Sequence, residues 1–189
     1  LLFDALIMGI SVQSIIKDAK TYLPSLNEDR VKRAYEFAKK AHAGQVRFSG
    51  EPYITHPLAA THLLLPLRPD EDAIIACLLH DVLGDTKVTF TALEKAFGRP
   101  IAQLVQNVEK LSLVKVRQGH SEIESWRKMF LAMAKDLRVV FIRLADRLHN
   151  MQTLEYVAND KQLRIAEETL HVYAPIASRL GIYSIKGKL

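Results

Sequence analysis

Cysteine is nearly absent: the 189-residue chain has one, Cys77, so neither an intrachain disulfide framework nor a cysteine-based zinc site can be built. Cys77 lies in the apolar run Ala76-Cys77-Leu78-Leu79, and this usage points to a reducing compartment, the cytoplasm. Apolar runs of membrane-spanning length are missing as well. The stretch Leu1 to Val12 falls well short of the ~20 residues that cross a bilayer, carries Asp4, and has neither a basic flank nor a small-residue cleavage site. It reads as a buried N-terminal helix, and no membrane partner is expected. A long basic run and an arginine-rich tail are also lacking, which argues against direct nucleic-acid binding. The formal charge of +5 and the pI near 9.3 suit polyanionic ligands in general without choosing among them. No internal repeat and no low-complexity linker interrupts the chain. With 49% apolar residues it has material for one real core, and residues 1–189 read as a single domain. The chain does not begin with Met and its last residues carry no stop signal, so a longer natural polypeptide is expected.

What is present is almost entirely helical punctuation. Asn27 precedes a stripe of Val31, Ala34, Tyr35, Phe37 and Ala38, and Gly44 follows, predicting a helix from about Glu28 to Ala43. Gln45 to Thr55 reads as a loop, with Pro57 in the first turn of the next helix, which runs to about Leu65. Asp70 caps a very apolar helix whose end delivers His80 and Asp81. Thr91 with Glu94 and Ser121 with Glu124 have capping-box spacing, Gly98-Arg99-Pro100 separates two helices, and Gln118-Gly119-His120 marks a loop. Val139-Val140-Phe141-Ile142 has strand composition, but the stripe Leu137, Val140, Leu144, Ala145, Leu148 favours helix. A last helix is expected from about Lys161 to Leu180, bent at Pro175 and stopped by Gly181.

Three distant segments end in residues suited to a divalent metal: His56, the His80-Asp81 pair and Asp146. Two imidazoles with two carboxylates form a borderline-hard donor set, fitted to manganese, iron, zinc or magnesium. A lone histidine is more often an ordinary hydrogen-bonded residue than a ligand, so His42, His62, His120, His149 and His171 are read that way. Lys110, Lys115 and Arg117 could add positive charge toward an anionic substrate, though a solvated surface is the simpler reading.

The text around these residues carries a resemblance. Arg47-Phe48-Ser49-Gly50-Glu51-Pro52-Tyr53-Ile54-Thr55-His56-Pro57, Leu78-Leu79-His80-Asp81-Val82, Arg127-Lys128-Met129 and Arg143 to Met151 closely resemble the N-terminal hydrolase domain of the RelA/SpoT homologue family. Tyr173-Ala174-Pro175-Ile176-Ala177 and Arg179-Leu180-Gly181-Ile182 resemble the segment leading into that family's synthetase domain. The resemblance implies an all-α fold, the HD-domain phosphohydrolase helical bundle. It also implies hydrolysis of (p)ppGpp to GDP or GTP and pyrophosphate, the chemistry of the stringent response, with Mn2+ in the site and a C-terminal synthetase domain in the longer chain. Carried over, the metal ligands would be His56, His80, Asp81 and Asp146, and the nucleotide-contacting positions Arg47, Ser49, Asn150 and Thr153. The chemistry is coherent: a divalent ion polarises a phosphoryl oxygen and activates water near neutral pH, and an arginine can stack on a purine or fork onto phosphate.

One position departs from the pattern. Hydrolase-competent members follow the His-Asp pair with Glu-Asp, and here the text is His80-Asp81-Val82-Leu83-Gly84-Asp85. In the family that glutamate is thought to activate the attacking water, and losing a positioned base costs ~10²- to 10⁴-fold in rate. Gly84 also reads as a helix C-cap, and Asp85 is left as the candidate catalytic base. Three readings follow: a (p)ppGpp hydrolase of reduced rate, a catalytically weakened domain that binds metal or alarmone and regulates an attached synthetase, and an HD-type nucleotidase of other specificity.

Overall fold

The structure is a computed structural model describing residues 10–112 and 135–189, with 127 and 131 between them. The described residues form helices joined by short turns and no strand; one antiparallel bridge, Val46 with Pro52, closes a loop. In order they are α1 (Val12–Lys20), α2 (Glu28–Ala41), α3 (Thr55–Leu64), α4 (Glu71–Leu78), α5 (Val82–Asp85), α6 (Phe90–Phe97), α7 (Arg99–Ser112), α8 (Leu137–Gln152), α9 (Asn159–Glu168), a π-helical turn (Thr169–Tyr173), α10 (Ala174–Arg179) and α11 (Tyr183–Lys186). The all-helical expectation holds.

Helix α4 is the centre of the bundle. Asp70 accepts from the Ala73 amide at 2.8 Å, Glu71 and Asp72 complement the positive end of the helix, and every residue from Ala73 to Leu78 is buried. Around it pack α2, α3 and α7, while α8 lies against α3 and α7. Helix α8 resolves its strand-like composition in favour of helix because Val139, Val140, Ile142, Leu144, Ala145 and Leu148 all bury. Tertiary burial therefore outweighs the local β preference of Val139 to Ile142. Asp136 caps this helix, accepting from the Arg138 amide at 3.0 Å.

Several boundaries differ from expectation. Helix α2 stops at Ala41, and Gly44 takes a left-handed φ of 81° three residues later to turn the chain back. Helix α3 begins at Thr55, before Pro57. Thr89, not Thr91, caps α6, accepting from Ala92 at 3.2 Å, so the Thr91–Glu94 pair lies inside the helix. The predicted helix over 161–180 is three pieces, because Pro175 has no amide to donate and the chain widens to a π turn just before it. Gly181, φ 71°, ends it as expected. Ser11 caps α1 with a reciprocal Ser11–Ser14 capping box, so Val12 opens a helix instead of closing one. Residues 1–9, the Ser121–Glu124 box, the Gln118–His120 loop, Lys115 and Arg117 lie outside the described residues. Lys110 is exposed and donates to Gln106 at 2.9 Å on α7, in keeping with a solvated surface.

Candidate metal centre

Three helices deliver the donors. His56 stands in the first turn of α3; α4 ends at Leu78, leaving His80 and Asp81 on the turn into α5; and Asp146 sits in the buried middle of α8. One donor atom each from His56, His80 and Asp146 lies within 4.8 Å of the others. His56 Nε2 is 3.2 Å from Asp146 Oδ1 and 3.4 Å from Asp81 Oδ2, and His80 Nε2 is 3.2 Å from Asp81 Oδ2 and 3.8 Å from Asp146 Oδ1. Metal–donor bonds of about 2.1 Å place neighbouring donors about 3.0–3.4 Å apart, a spacing that three of these four separations meet, the His80–Asp146 pair being wider.

The hydrogen bonds behind these atoms set the imidazoles for coordination. His80 Nδ1 is 2.8 Å from the Cys77 carbonyl, which can only accept, so Nδ1 carries the proton. Nε2 then faces the cluster, buried and, among the described residues, without a hydrogen-bond partner, as a ligand nitrogen should be. His56 Nδ1 meets His149 Nδ1 at 2.8 Å, and coordination through His56 Nε2 requires His56 to be the donor in that pair. Asp146 takes Arg143 Nη1 on Oδ2 at 2.5 Å and Asn150 Nδ2 on Oδ1 at 2.7 Å. Arg143 reaches on to the Tyr173 hydroxyl at 3.2 Å. Arg147 lies 4.2 Å over the Tyr173 ring and bonds Glu168 at 2.8 Å, so the segment after α9 backs the site.

Burial alone would push the Asp146 and Asp81 carboxyls upward, yet both are held below the usual carboxylate range, Asp146 by Arg143 and the two imidazoles, Asp81 by His80 and His56. Burial lowers His56. It works in the same direction on His80, but the Asp81 and Asp146 charges overcome it and raise that imidazole well above its ordinary value. An ion entering the site must displace the His80 proton, so divalent-metal affinity is expected to weaken as pH falls and to strengthen as pH rises toward the His80 titration point. Calorimetry in buffers of different ionisation enthalpy checks the proton release.

Two residues that the sequence reading passed over belong to this site. His149, read as an ordinary histidine, is 3% exposed, three residues beyond Asp146 on the same face of α8, and burial presses its pKa down to about 2. It stays neutral and orients His56. Replacing His149 by Phe is expected to weaken metal binding about 10- to 100-fold with the direct donors intact, measured by calorimetry. Tyr53 stacks on His42, ring centroids 4.4 Å apart, and its hydroxyl lies 2.9 Å from Asp81 Oδ2 and 2.7 Å from Asp85 Oδ2. Burial and those carboxylates raise its pKa, keeping it a phenol that donates.

Of the expected nucleotide contacts, three come together: Arg47 Nη2 donates to Asn150 Oδ1 at 3.4 Å and to Thr153 Oγ1 at 3.1 Å. Ser49 is on the same loop, half-buried, with no side-chain hydrogen bond to the cluster among the described residues. The loop is a tight turn, with the Gly50 amide donating to the Arg47 carbonyl at 2.9 Å and Gly50 at φ 86°. Asp85 is exposed on α5, beside the cluster through Tyr53. Gly84 corrects an expectation: it is not a C-cap. It lies inside the α5 turn, is absent from the left-handed glycines, and Thr86 in extended conformation ends the helix.

A helical bundle that gathers a His, a His-Asp pair and a distant Asp around one point is the architecture of the HD domain, and that family matches residues 34–183. The chain belongs to the HD domain family. It is 47% identical over 178 residues, 94% of its length, to the bifunctional (p)ppGpp synthase/hydrolase SpoT of Escherichia coli (strain K12), covering 25% of that protein. It is 46% identical over 172 residues to a GTP pyrophosphokinase of Myxococcus xanthus, covering 89% of this chain and 23% of that one. The chain thus spans about a quarter of the length of these curated relatives. Among solved structures it is similar to a metazoan ortholog of SpoT, with a TM-score of 0.56 and 24% identity over 75% of this chain and 80% of the other, a likeness of fold. Among the described residues no helix is long and apolar enough to cross a membrane.

Proposed function

We propose that this chain is a cytoplasmic (p)ppGpp hydrolase domain, removing the 3′-pyrophosphate to give GDP or GTP and pyrophosphate, and that it is one domain of a longer protein with a C-terminal synthetase domain. The observation that carries the reading is the convergence of His56, His80, Asp81 and Asp146 on one point, next to a loop arginine, in a chain 47% identical to a (p)ppGpp synthase/hydrolase. Mn2+ is the ion assigned to the four donors; when bound it supplies Lewis-acid polarisation of a phosphoryl oxygen and activation of water.

The chain's own residues do the rest. His149 and the Cys77 carbonyl fix the two imidazoles, and Arg143 and Asn150 hold Asp146. Tyr53 ties Asp81 to Asp85, placing an exposed carboxylate where it can accept a proton from water. Arg47 and Ser49 are assigned to the guanosine end of the nucleotide and Asn150 and Thr153 to further contacts with it, with Arg47 supplying a planar donor fork for phosphate or base.

Purified protein with Mn2+ and ppGpp is expected to release pyrophosphate, and His80→Ala to abolish the release. Binding of ppGpp without turnover would replace this reading by the weakened regulatory domain that Gly84 raises, and equal turnover of simple nucleoside phosphates would replace it by a general nucleotidase.

A further inference from the structure

Asp146 Oδ1 faces His56 and His80, and Asp146 Oδ2 is held by Arg143. What holds Arg143 therefore bears on how the carboxylate presents itself to an ion. Arg143 is buried, and its other amino group, Nη2, donates to the Tyr173 hydroxyl at 3.2 Å, while Nε is without a partner among the described residues. A guanidinium is planar and rigid, so fixing Nη2 fixes the direction of Nη1. Tyr173 is buried too, and its ring lies under the Arg147 guanidinium, 4.2 Å from the centroid, with Arg147 tied to Glu168 at 2.8 Å. One phenol is thus gripped by two arginines a turn apart on α8, one at its oxygen and one on its face.

An irregularity of the backbone puts Tyr173 there. Tyr173 ends the π-helical turn Thr169–Tyr173, after which the Ala174 amide donates to the Thr169 carbonyl, five residues back. Such a turn carries one residue more than an α-turn, so its last residues face up to about 100° away from their direction in an unbroken α-helix. Thr169, buried at the start of the turn, anchors it: the hydroxyl donates to the Ile165 carbonyl at 2.7 Å and sits 3.3 Å from Met151 Sδ on α8. We propose that Tyr173 is a positioning residue for the metal centre: through Arg143 it sets the angle at which Asp146 meets the ion, and the π turn sets Tyr173. The inference rests on the reading of Asp146 as a metal ligand and is tested without turnover.

The test is Mn2+ calorimetry on this chain, well below its melting temperature, with melting curves alongside. Tyr173→Phe keeps the ring under Arg147 and removes only the acceptor of Arg143. It is expected to weaken Mn2+ binding about tenfold, the lower end for a residue standing behind a ligand. Tyr173→Leu, which removes the ring as well, should weaken it at least as much. Arg143→Lys can still pair with Asp146 but, as a single point charge, cannot hold both groups at once. In that background Tyr173→Phe should change the affinity by about twofold or less, whereas independent effects would multiply. A residue that merely stabilised the fold would shift the melting temperature in both backgrounds and leave the affinity of the folded chain in place. Unchanged Mn2+ affinity in Tyr173→Phe overturns the proposal, as does a tenfold loss that persists in full beside Arg143→Lys. Asp146→Asn keeps the two readings apart. If it abolishes Mn2+ binding and Tyr173→Phe leaves binding unaltered, the ligand assignment stands and Tyr173 falls; if the native sequence binds no Mn2+, both fall.

Discussion

Asp146→Ala is expected to remove metal binding and, separately, to destabilise the protein by about 3–5 kcal/mol, the cost of leaving a buried partner charge unpaired. Arg143 is 7% exposed and its Nη1 lies 2.5 Å from Asp146 Oδ2. Without the carboxylate the guanidinium keeps, among the described residues, only the Tyr173 hydroxyl at 3.2 Å on its other side, with Nε unpartnered there already. At about 2–4 °C per kcal/mol for a chain this size, the melting temperature should drop roughly 6–20 °C. Asp146→Asn separates the two effects. It keeps the shape and an acceptor oxygen, losing mainly the charge that an ion needs. The readout is melting with and without Mn2+: an ion at about a hundred times its Kd adds about 2.7 kcal/mol to the native state. That increment should be present in the native sequence and gone in Asp146→Asn; its persistence would sink the ligand assignment. The sign of the pH dependence follows from the same pair. Because the folded Asp146 carboxyl is held well below its ordinary value, its contribution is fully present above the usual carboxylate range and is lost as pH falls below it.

The candidate donors His56, His80, Asp81 and Asp146 could be picked out in the sequence because each lies in a short contiguous motif of metal-binding residue types, whereas Arg47 came only with the family resemblance those motifs carry. The helical fold was legible for a related reason, since the cap at Asp70 and the apolar run of α4 agree with each other. What escaped depends on distance in space or on register. Two threonines stand near the start of α6, and only the course of the chain after Thr86 decides that Thr89 is the cap. His149 could have been found, because Asp146 and His149 are three apart on one helix and must share a face. Its partner His56, 93 residues away, could not. Gly84 is the sharpest case. Read locally it was a helix terminator and a missing acid, yet it is a helical residue whose lost volume holds the carboxylate of Glu109, supplied by a helix that begins fourteen residues after α5 ends. No local pattern encodes such an exchange of side-chain volume.

Ile75→Ala should destabilise strongly while leaving the metal site intact. Ile75 is fully buried in α4, and truncating such a residue costs about 2–5 kcal/mol, the spread reflecting how far the cavity collapses. The melting temperature should fall roughly 4–20 °C. The candidate ligands His80 and Asp81 follow from α4 by its backbone: the Leu79 amide donates to the Ile75 carbonyl at 3.2 Å, and His80 Nδ1 to the Cys77 carbonyl. Neither bond involves the Ile75 side chain. Mn2+ affinity measured well below the melting temperature is therefore expected to equal that of the native sequence, with the ion raising the melting temperature of the variant by a similar free energy. A variant that melted only slightly early but bound Mn2+ weakly would reverse the argument, making the packing around α4, and not the hydrogen bonds at its end, what sets the donor geometry. Together with Asp146→Asn, which loses the ion through charge, this substitution tests whether stability and coordination are carried by different parts of the same bundle.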